Sequence, residues 1–167
     1  AAVLSAIIGI ALLMVGLVVA VAAAPDTGVF ATHSGVDSPI LFGRFLVVTL
    51  LFGNALVAVV LLASVAVATA RTAIVAAIAA VLVVVVGGEA AIVLGVLDGV
   101  FTETTLQLAL GFIPNSAYRG LVFETVIGVL SAGESGYASP LVSAVGLLLW
   151  TGGSLGAAAG LLRWRVD

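Results

Sequence analysis

Cysteine and lysine are both absent from this 167-residue sequence, and each absence excludes a class of chemistry. Without cysteine there can be no disulfide, no thiolate nucleophile and no cysteine-based metal site. Without lysine the phosphate-binding pattern GxxxxGK(S/T) cannot occur, so the chain does not itself hydrolyse ATP by that route. All five basic residues are arginine, which leaves neither a polybasic lipid-binding tail nor a basic surface for nucleic acid.

Charge of either sign is scarce. Only 8% of the residues are charged and 63% are hydrophobic, with a net charge of −3 and a mean hydropathy of +1.43. A soluble domain has roughly 45–50% apolar and about 25% charged residues, so this composition predicts a membrane protein. Its Ala-, Val- and Gly-rich, lysine-free, acidic balance is typical of a high-GC or halophilic prokaryote. The sequence starts inside an apolar run without Met, and we expect it to be part of a longer protein.

Four apolar stretches are long enough to cross a bilayer as helices, since about 20 residues span a hydrocarbon core of about 30 Å. They cover residues 3–24, 45–70, 72–100 and 140–162. The stretch 101–139 is more polar and contains only short apolar pieces, which predicts a re-entrant or interfacial helical segment on the outer side. The sequence therefore predicts an all-α polytopic membrane helix bundle, a single transmembrane domain with about four spans.

The arginines predict the orientation of these spans. Arg71 lies between the second and third spans, and Arg163 and Arg165 follow the fourth, so all three fall on one side of the membrane. Basic residues are enriched on the cytoplasmic side, which places both ends of this chain in the cytoplasm of a multi-pass cell-membrane protein. Arg44 and Arg119 are outward exceptions to this bias.

Glu89 is the first candidate functional position, because an ionisable side chain at membrane depth is costly unless it is used or paired. It lies 17 residues beyond Thr72, about 25 Å along a helix, and hence near the outer boundary. One interpretation is an ion or substrate contact beside a kink at Gly87 and Gly88. The other, which the depth favours, is a carboxylate that reaches outer water or pairs with an arginine.

Three further polar positions are candidates for lining a path or for stabilising the bundle. Arg119 and Glu124 are five residues apart, a spacing that does not bring them face to face on one helix, so pairing with other segments is favoured. Asn54 lies inside the second span, where a lone amide typically makes an interhelical hydrogen bond. Lining a substrate path is the less favoured role for all three.

Small residues recur along the last span. Gly152, Gly156 and Gly160 are spaced every fourth residue and so lie on one helix face. This spacing lets helices approach closely, and we expect the face to pack against a neighbouring helix within the subunit or across a dimer.

The sequence offers no combination of residues suited to catalysis. His33 is the only histidine, and a lone histidine in a loop is a poor basis for a metal site. HExxH does not occur, and no serine, histidine and aspartate come together within the spans. We therefore expect no catalytic residue, no cofactor and no metal, and a protein that is not an enzyme.

Three passages together resemble the C-terminal portion of ABC-2 type transporter permeases. The first is LLASVAVATARTAIVAAIAAVLVVVV, in which one span leads through small residues and an arginine directly into the next. The second is IPNSAYRGLV, similar to the short Asn- and Pro-containing outer segment that precedes the last span in this family. The third is the final span, PLVSAVGLLLWTGGSLGAAAGLLRWRVD, which ends in aromatic and arginine residues.

The resemblance implies that these are the last four of six spans of a permease subunit. The first two spans, and the cytoplasmic segment that contacts the ATPase in this family, would precede the sequence. The implied function is to move a substrate across the membrane with energy from a separate ATP-binding subunit. The implied partners are that ATPase, a second permease copy and the lipid bilayer, with no nucleic acid.

Two other classes stay open. A structural or transport subunit of another membrane complex, respiratory or secondary, would have the same composition. An intramembrane enzyme is the least favoured class, because it needs two or more catalytic groups meeting at one depth.

Overall fold

The computed structural model describes residues 39–127 and 139–164, so the predicted first span, 3–24, and His33 lie outside the described residues. In these two ranges the chain is helical and contains no strand. Three helical stretches are long and apolar enough to cross a membrane: Leu41–Val65, Ala70–Leu97 and Pro140–Trp164. The prediction of an all-helical membrane protein is confirmed, and the fourth span stays a prediction.

From Pro39 to Ile127 the elements follow one another with short connections. They are α1 (Pro39–Val65), α2 (Ala70–Leu82), π1 (a π-helix, Val83–Gly87), α3 (Gly88–Leu97), α4 (Glu103–Phe112), α5 (Pro114–Val122), π2 (a π-helix, Phe123–Ile127) and α6 (Pro140–Trp164). The sequence α2–π1–α3 is continuous and forms the second membrane-long stretch. Single-turn π segments of this kind are rare in helices and are frequent at functional sites.

A tight turn joins α1 to α2. Only residues 66–69 separate the two helices, and Thr69 caps the second one. The Thr69 hydroxyl accepts a hydrogen bond from the backbone N–H of Thr72 (3.2 Å), and the Thr72 hydroxyl accepts one from the N–H of Thr69 (3.3 Å). This reciprocal capping box satisfies two backbone donors that would otherwise be free at the helix start. The two long helices therefore form a hairpin.

The end of α3 is set by Gly99, which has a φ of +67°. Its N–H donates to the Val96 carbonyl (3.1 Å), and the N–H of Val100 donates to the Gly95 carbonyl (2.9 Å). This pair of bonds is the Schellman motif, in which a left-handed residue stops a helix and satisfies its last carbonyls. The helix therefore ends at Leu97, a little before the predicted limit of the span at residue 100.

Pro114 separates α4 from α5. Ile113 is extended (φ −79°, ψ 124°) because a residue before proline avoids the helical region, and Pro114 then occupies the first turn of α5. The break removes the helical partner of the Phe112 carbonyl. Trp150 on α6 supplies another, since its indole Nε1 donates to that carbonyl at 2.9 Å. The break is therefore stabilised from the neighbouring long helix.

The core lies where α1, α5 and α6 meet. Its buried members are Val48 and Ala55 on α1, Ala117 and Leu121 on α5, and Leu147 on α6. By contrast, α2 packs along α1 but has no buried residue. The short α4–α5 pair is thus packed against the long helices, while most of α2 is exposed and apolar, as lipid contact requires.

Helices α4 and α6 cross at two glycines. A Cβ at Gly146 would overlap the carbonyl oxygen of Gly111, and a Cβ at Gly111 would lie 2.7 Å from a methyl group of Val142. Glycine at both positions lets the two backbones touch directly, as small residues do at helix contacts in membranes.

The helix limits differ from the predicted spans where a charged residue lies inside a helix. The second span was predicted to begin at residue 45, after Arg44, whereas α1 begins at Pro39 and ends at Val65. The helix continues through Arg44, whose guanidinium Nη1 donates a hydrogen bond to the Thr125 carbonyl (3.2 Å). The last span, predicted over 140–162, is observed as Pro140–Trp164.

Candidate functional site

Glu89 is the centre of a polar cluster between the second membrane-long stretch and α5. Its Oε1 accepts a hydrogen bond from Asn115 Nδ2 at 2.9 Å and another from the Ser116 hydroxyl at 2.7 Å. Ser116 is fully buried, and Glu89 and Asn115 are half-buried. Hydrogen bonds to an ionised group are shorter and stronger than those between neutral groups. The cluster therefore ties α3 to the start of α5.

The cluster lies at the N-terminus of α5, a position that favours a carboxylate. Asn115 and Ser116 are the second and third residues of this helix, whose N-cap residue, Ile113, makes no side-chain cap. The free N–H groups at a helix start carry partial positive charge and attract anions. The Glu89 side chain comes from another helix and binds the first turn of α5, where a capping carboxylate is favourable.

The helix that carries Glu89 is adapted to bring it there. The π1 segment ends at Gly87, and Glu89 lies in the first turn of α3. At Gly88 a Cβ would lie 2.8 Å from the Cγ2 methyl of Ile113, so glycine permits the close approach of the α4–α5 break. At the two glycines the structure has the end of a π-helix and a close contact, and the predicted kink stays a prediction.

Glu89 was singled out from the sequence, but its partners were not. The expected partners were outer water or an arginine, whereas the structure places Asn115 and Ser116 at its carboxylate. The passage IPNSAYRG was recognised only as a segment. The sequence contains one signal for these partners. A helix that starts at Pro114 after the apolar residue Ile113 has no side-chain cap of its own, so its first N–H groups favour an acidic side chain from another part of the chain.

Glu124 shares a cavity with Arg44. The cavity has a volume of about 530 Å³ and lies between π2 and the second and third turns of α1. Its lining residues are Gly43, Arg44, Val47, Val48, Glu124 and Thr125. A basic and an acidic side chain therefore face one space. Pairing of Arg119 and Glu124 with other segments stays a prediction.

Asn54 and Arg119 are both exposed on the described helices. Asn54 lies on α1 and Arg119 in the last turn of α5. The interhelical hydrogen bond expected of Asn54 also stays a prediction, and any helix that faces it lies outside the described residues.

The glycine face of α6 is open. Gly152, Gly156 and Gly160 are exposed, and a Cβ at each would meet nothing within 4 Å. The described helices pack instead on the face of α6 that contains Gly146, Leu147 and Ser154. The predicted packing of the glycine face therefore requires a helix outside the described residues or a helix of a second copy.

Tyr118 connects α5 to α1 beside the cluster. Its ring stacks on Phe52 with a centroid distance of 4.7 Å, and its hydroxyl lies 3.3 Å from the Thr49 hydroxyl. Because Asn115, Ser116 and Tyr118 lie on one short helix, α5 contacts α1 and α3 at once. No group of three or more metal-ligating side chains occurs among the residues that the structure describes.

The fold and this cluster define a membrane-spanning helix bundle in which a half-buried carboxylate of a long helix binds the short helix pair. Comparison of the chain with protein-family models, with curated proteins and with solved structures gave no match.

Proposed function

We propose that the chain is the membrane-spanning permease subunit of an ABC-type transporter, which moves a substrate across the membrane with energy from a separate ATPase subunit. In this proposal the stretch 3–24 is a fourth span, and the α4–α5 pair is the outer re-entrant element before the last span. A second permease copy completes the translocation path.

The observation that carries the proposal is the packing of the α4–α5 pair. These helices lie between the second membrane-long stretch and α6 in the chain, and they pack against α1 and α6 rather than standing apart. A permease of this class needs such an outer element joined to its spans. The passage that resembles the family here, IPNSAYRGLV, is the one that forms the break and α5.

The Glu89 cluster gives this element a mechanical role. Glu89 belongs to the second membrane-long stretch, and Asn115 and Ser116 belong to α5, so a displacement of either is transmitted to the other. An ATPase subunit that binds one of two helix arrangements more tightly shifts the population of the permease toward that arrangement. The permease supplies the two arrangements, and the ATPase supplies the bias.

The proposal is tested by identifying the proteins that accompany this one. The full-length parent protein is tagged, extracted from its native host in mild detergent and analysed by quantitative mass spectrometry. An unrelated multi-span protein with the same tag is the control for carry-over. We expect an ABC-type ATP-binding subunit in near-equal molar amount with the permease and only at background level in the control.

Other results would contradict the proposal in distinguishable ways. Recovery of redox subunits, or of a secondary transporter, would assign the chain to another membrane complex. Recovery without any ATPase would also contradict the permease function. An activity that is lost on replacing Glu89 in a folded protein would indicate the least favoured class, an intramembrane enzyme.

A further inference from the structure

The cavity between α1 and π2 combines features that suit an amphiphile with both charges in its head group. Arg44 and Glu124 line it together, and Val47 and Val48 form its apolar wall. A volume of about 530 Å³ lies in the usual range for small-molecule sites, roughly 300–1,000 Å³. Arg44 and Val47 are exposed, so the cavity opens on the outer surface of α1.

The guanidinium of Arg44 is fixed at the edge of this cavity. One of its N–H groups donates to the Thr125 carbonyl at 3.2 Å. A guanidinium carries five N–H donors in a planar fork, and this bond uses one of them among the residues that the structure describes. A fork of this geometry matches the oxygens of a phosphate. Arg44 is thereby presented as an anion-binding group.

The depth of the cavity matches a phospholipid head group. Arg44 is the sixth residue of α1 and therefore lies near the N-terminal end of a helix long and apolar enough to cross a membrane. The end of such a helix is expected near the boundary between hydrocarbon and head groups. Val47 lies one turn deeper and is 64% exposed, so an acyl chain that continues from the head group has an apolar surface to cover.

We propose that this cavity binds a zwitterionic bilayer phospholipid with a phosphate and a primary amine in its head group. The phosphate binds Arg44, the ammonium group binds Glu124, and the acyl chain lies along Val47. A purely anionic lipid would satisfy Arg44 but would leave the Glu124 carboxylate facing a head group without a cation. The inference does not depend on the transporter proposal, because it concerns a lipid of the bilayer and not a transported substrate.

Native mass spectrometry of the delipidated full chain in detergent tests the site. The probes are phosphatidylethanolamine and phosphatidylglycerol, which share the phosphate and differ in the amine. We expect the unaltered protein to retain phosphatidylethanolamine about tenfold better, because a charge-assisted hydrogen bond is worth at least that factor. Glu124→Gln is expected to abolish this preference, and Arg44→Gln to weaken binding of both lipids.

Matched controls use the same substitutions away from the cavity. Arg71→Gln, at the other end of the α1–α2 hairpin, and Glu103→Gln, at the exposed start of α4, are expected to leave both affinities unchanged. Arg44→Gln also alters the bond to Thr125 and could prevent folding. In that case the preference of Glu124→Gln for phosphatidylethanolamine over phosphatidylglycerol decides the result.

Three outcomes would overturn the proposal. The first is equal retention of the two lipids by the unaltered protein. The second is a preference that Glu124→Gln leaves intact. The third is displacement of the lipid by free glycerophosphoethanolamine at equal concentration, which would show that a soluble zwitterion, and not a bilayer lipid, is the ligand.

Discussion

At the scale of single residues, Glu89 is the position where the structure predicts the largest effect. Glu89→Ala removes the acceptor shared by Asn115 and Ser116 and leaves the buried Ser116 hydroxyl without it. Leaving a buried polar group unsatisfied costs about 1–3 kcal/mol, so we expect the free energy of unfolding to fall by about 2 kcal/mol. Titration with denaturing detergent, followed by tryptophan fluorescence, measures this change.

The control for Glu89 is Glu103, which also lies in the first turn of a helix but is exposed. Glu103→Ala removes a favourable charge at the N-terminus of α4 and none of the hydrogen bonds to α5. The difference between the two variants therefore reports the cluster. Equal changes in the two variants would contradict a role for Glu89 in holding α5. The role would also be contradicted if the losses of stability in Glu89→Ala and Ser116→Ala added up in the double variant, because residues in contact are expected to be coupled.

The sequence could identify Glu89 but not the site around it. A carboxylate within a long apolar run is conspicuous, and its cost in a membrane makes a partner necessary. The identity of that partner depends on how α5 packs against α3. The two partners, Asn115 and Ser116, are 26 and 27 positions from Glu89 in the sequence. Arg44 is a similar case, because its bond to the Thr125 carbonyl is a tertiary contact that no local pattern encodes.

At the scale of elements, the crossing of α4 and α6 depends on Gly146. Gly146→Ala would place a methyl group on the Gly111 carbonyl and force the two helices apart. Overpacking of this kind typically costs about 1–3 kcal/mol, and we expect a loss of that size in the free energy of unfolding. Separation of the helices would also lengthen the bond from Trp150 to the Phe112 carbonyl and change the indole fluorescence.

Gly153 provides the matched control on the same helix. It lies two turns along from Gly146 and is exposed, and a Cβ there meets nothing within 4 Å. Alanine is favoured over glycine within a helix by about 0.5–1 kcal/mol, so Gly153→Ala is expected to leave stability unchanged or to raise it. If Gly146→Ala behaved in the same way, the direct backbone contact at the crossing would be disproved.

The limits of the elements were predictable where local signals set them. Ser139 and Pro140 mark the start of α6, and the observed helix begins at Pro140. The start of α1 was placed too late, because Arg44 looked like the polar end of a loop. The π segments were not predicted, since nothing in a run such as VVVVG separates a π turn from an α turn.

At the scale of the whole molecule, α1 and α6 run in the same direction. Ala55 and Leu147 share the core cluster, and further along both helices Leu62 and Ser154 line one cavity. The end of α1 at Val65, and hence the turn to α2, therefore lies at the same end of the bundle as Trp164. The charge distribution predicted that Arg71 and Arg163 face one side, and this packing gives a separate reason to expect it.

Labelling of single cysteines tests on which side of the membrane Arg71 and Arg163 lie. Because the chain contains no cysteine, each single-cysteine variant reports one position. Arg71→Cys and Arg163→Cys are expected to react with a membrane-impermeant maleimide only after the cells are permeabilised, because arginines concentrate on the cytoplasmic side. Asp98→Cys, beyond the far end of the α2–π1–α3 stretch, is expected to react in intact cells. Equal reactivity of positions 71 and 98 in intact cells would contradict a membrane-crossing stretch between them. A complete reversal of the pattern would keep that stretch and invert the whole bundle, placing the Arg44–Glu124 cavity and the α4–α5 pair at the cytoplasmic boundary.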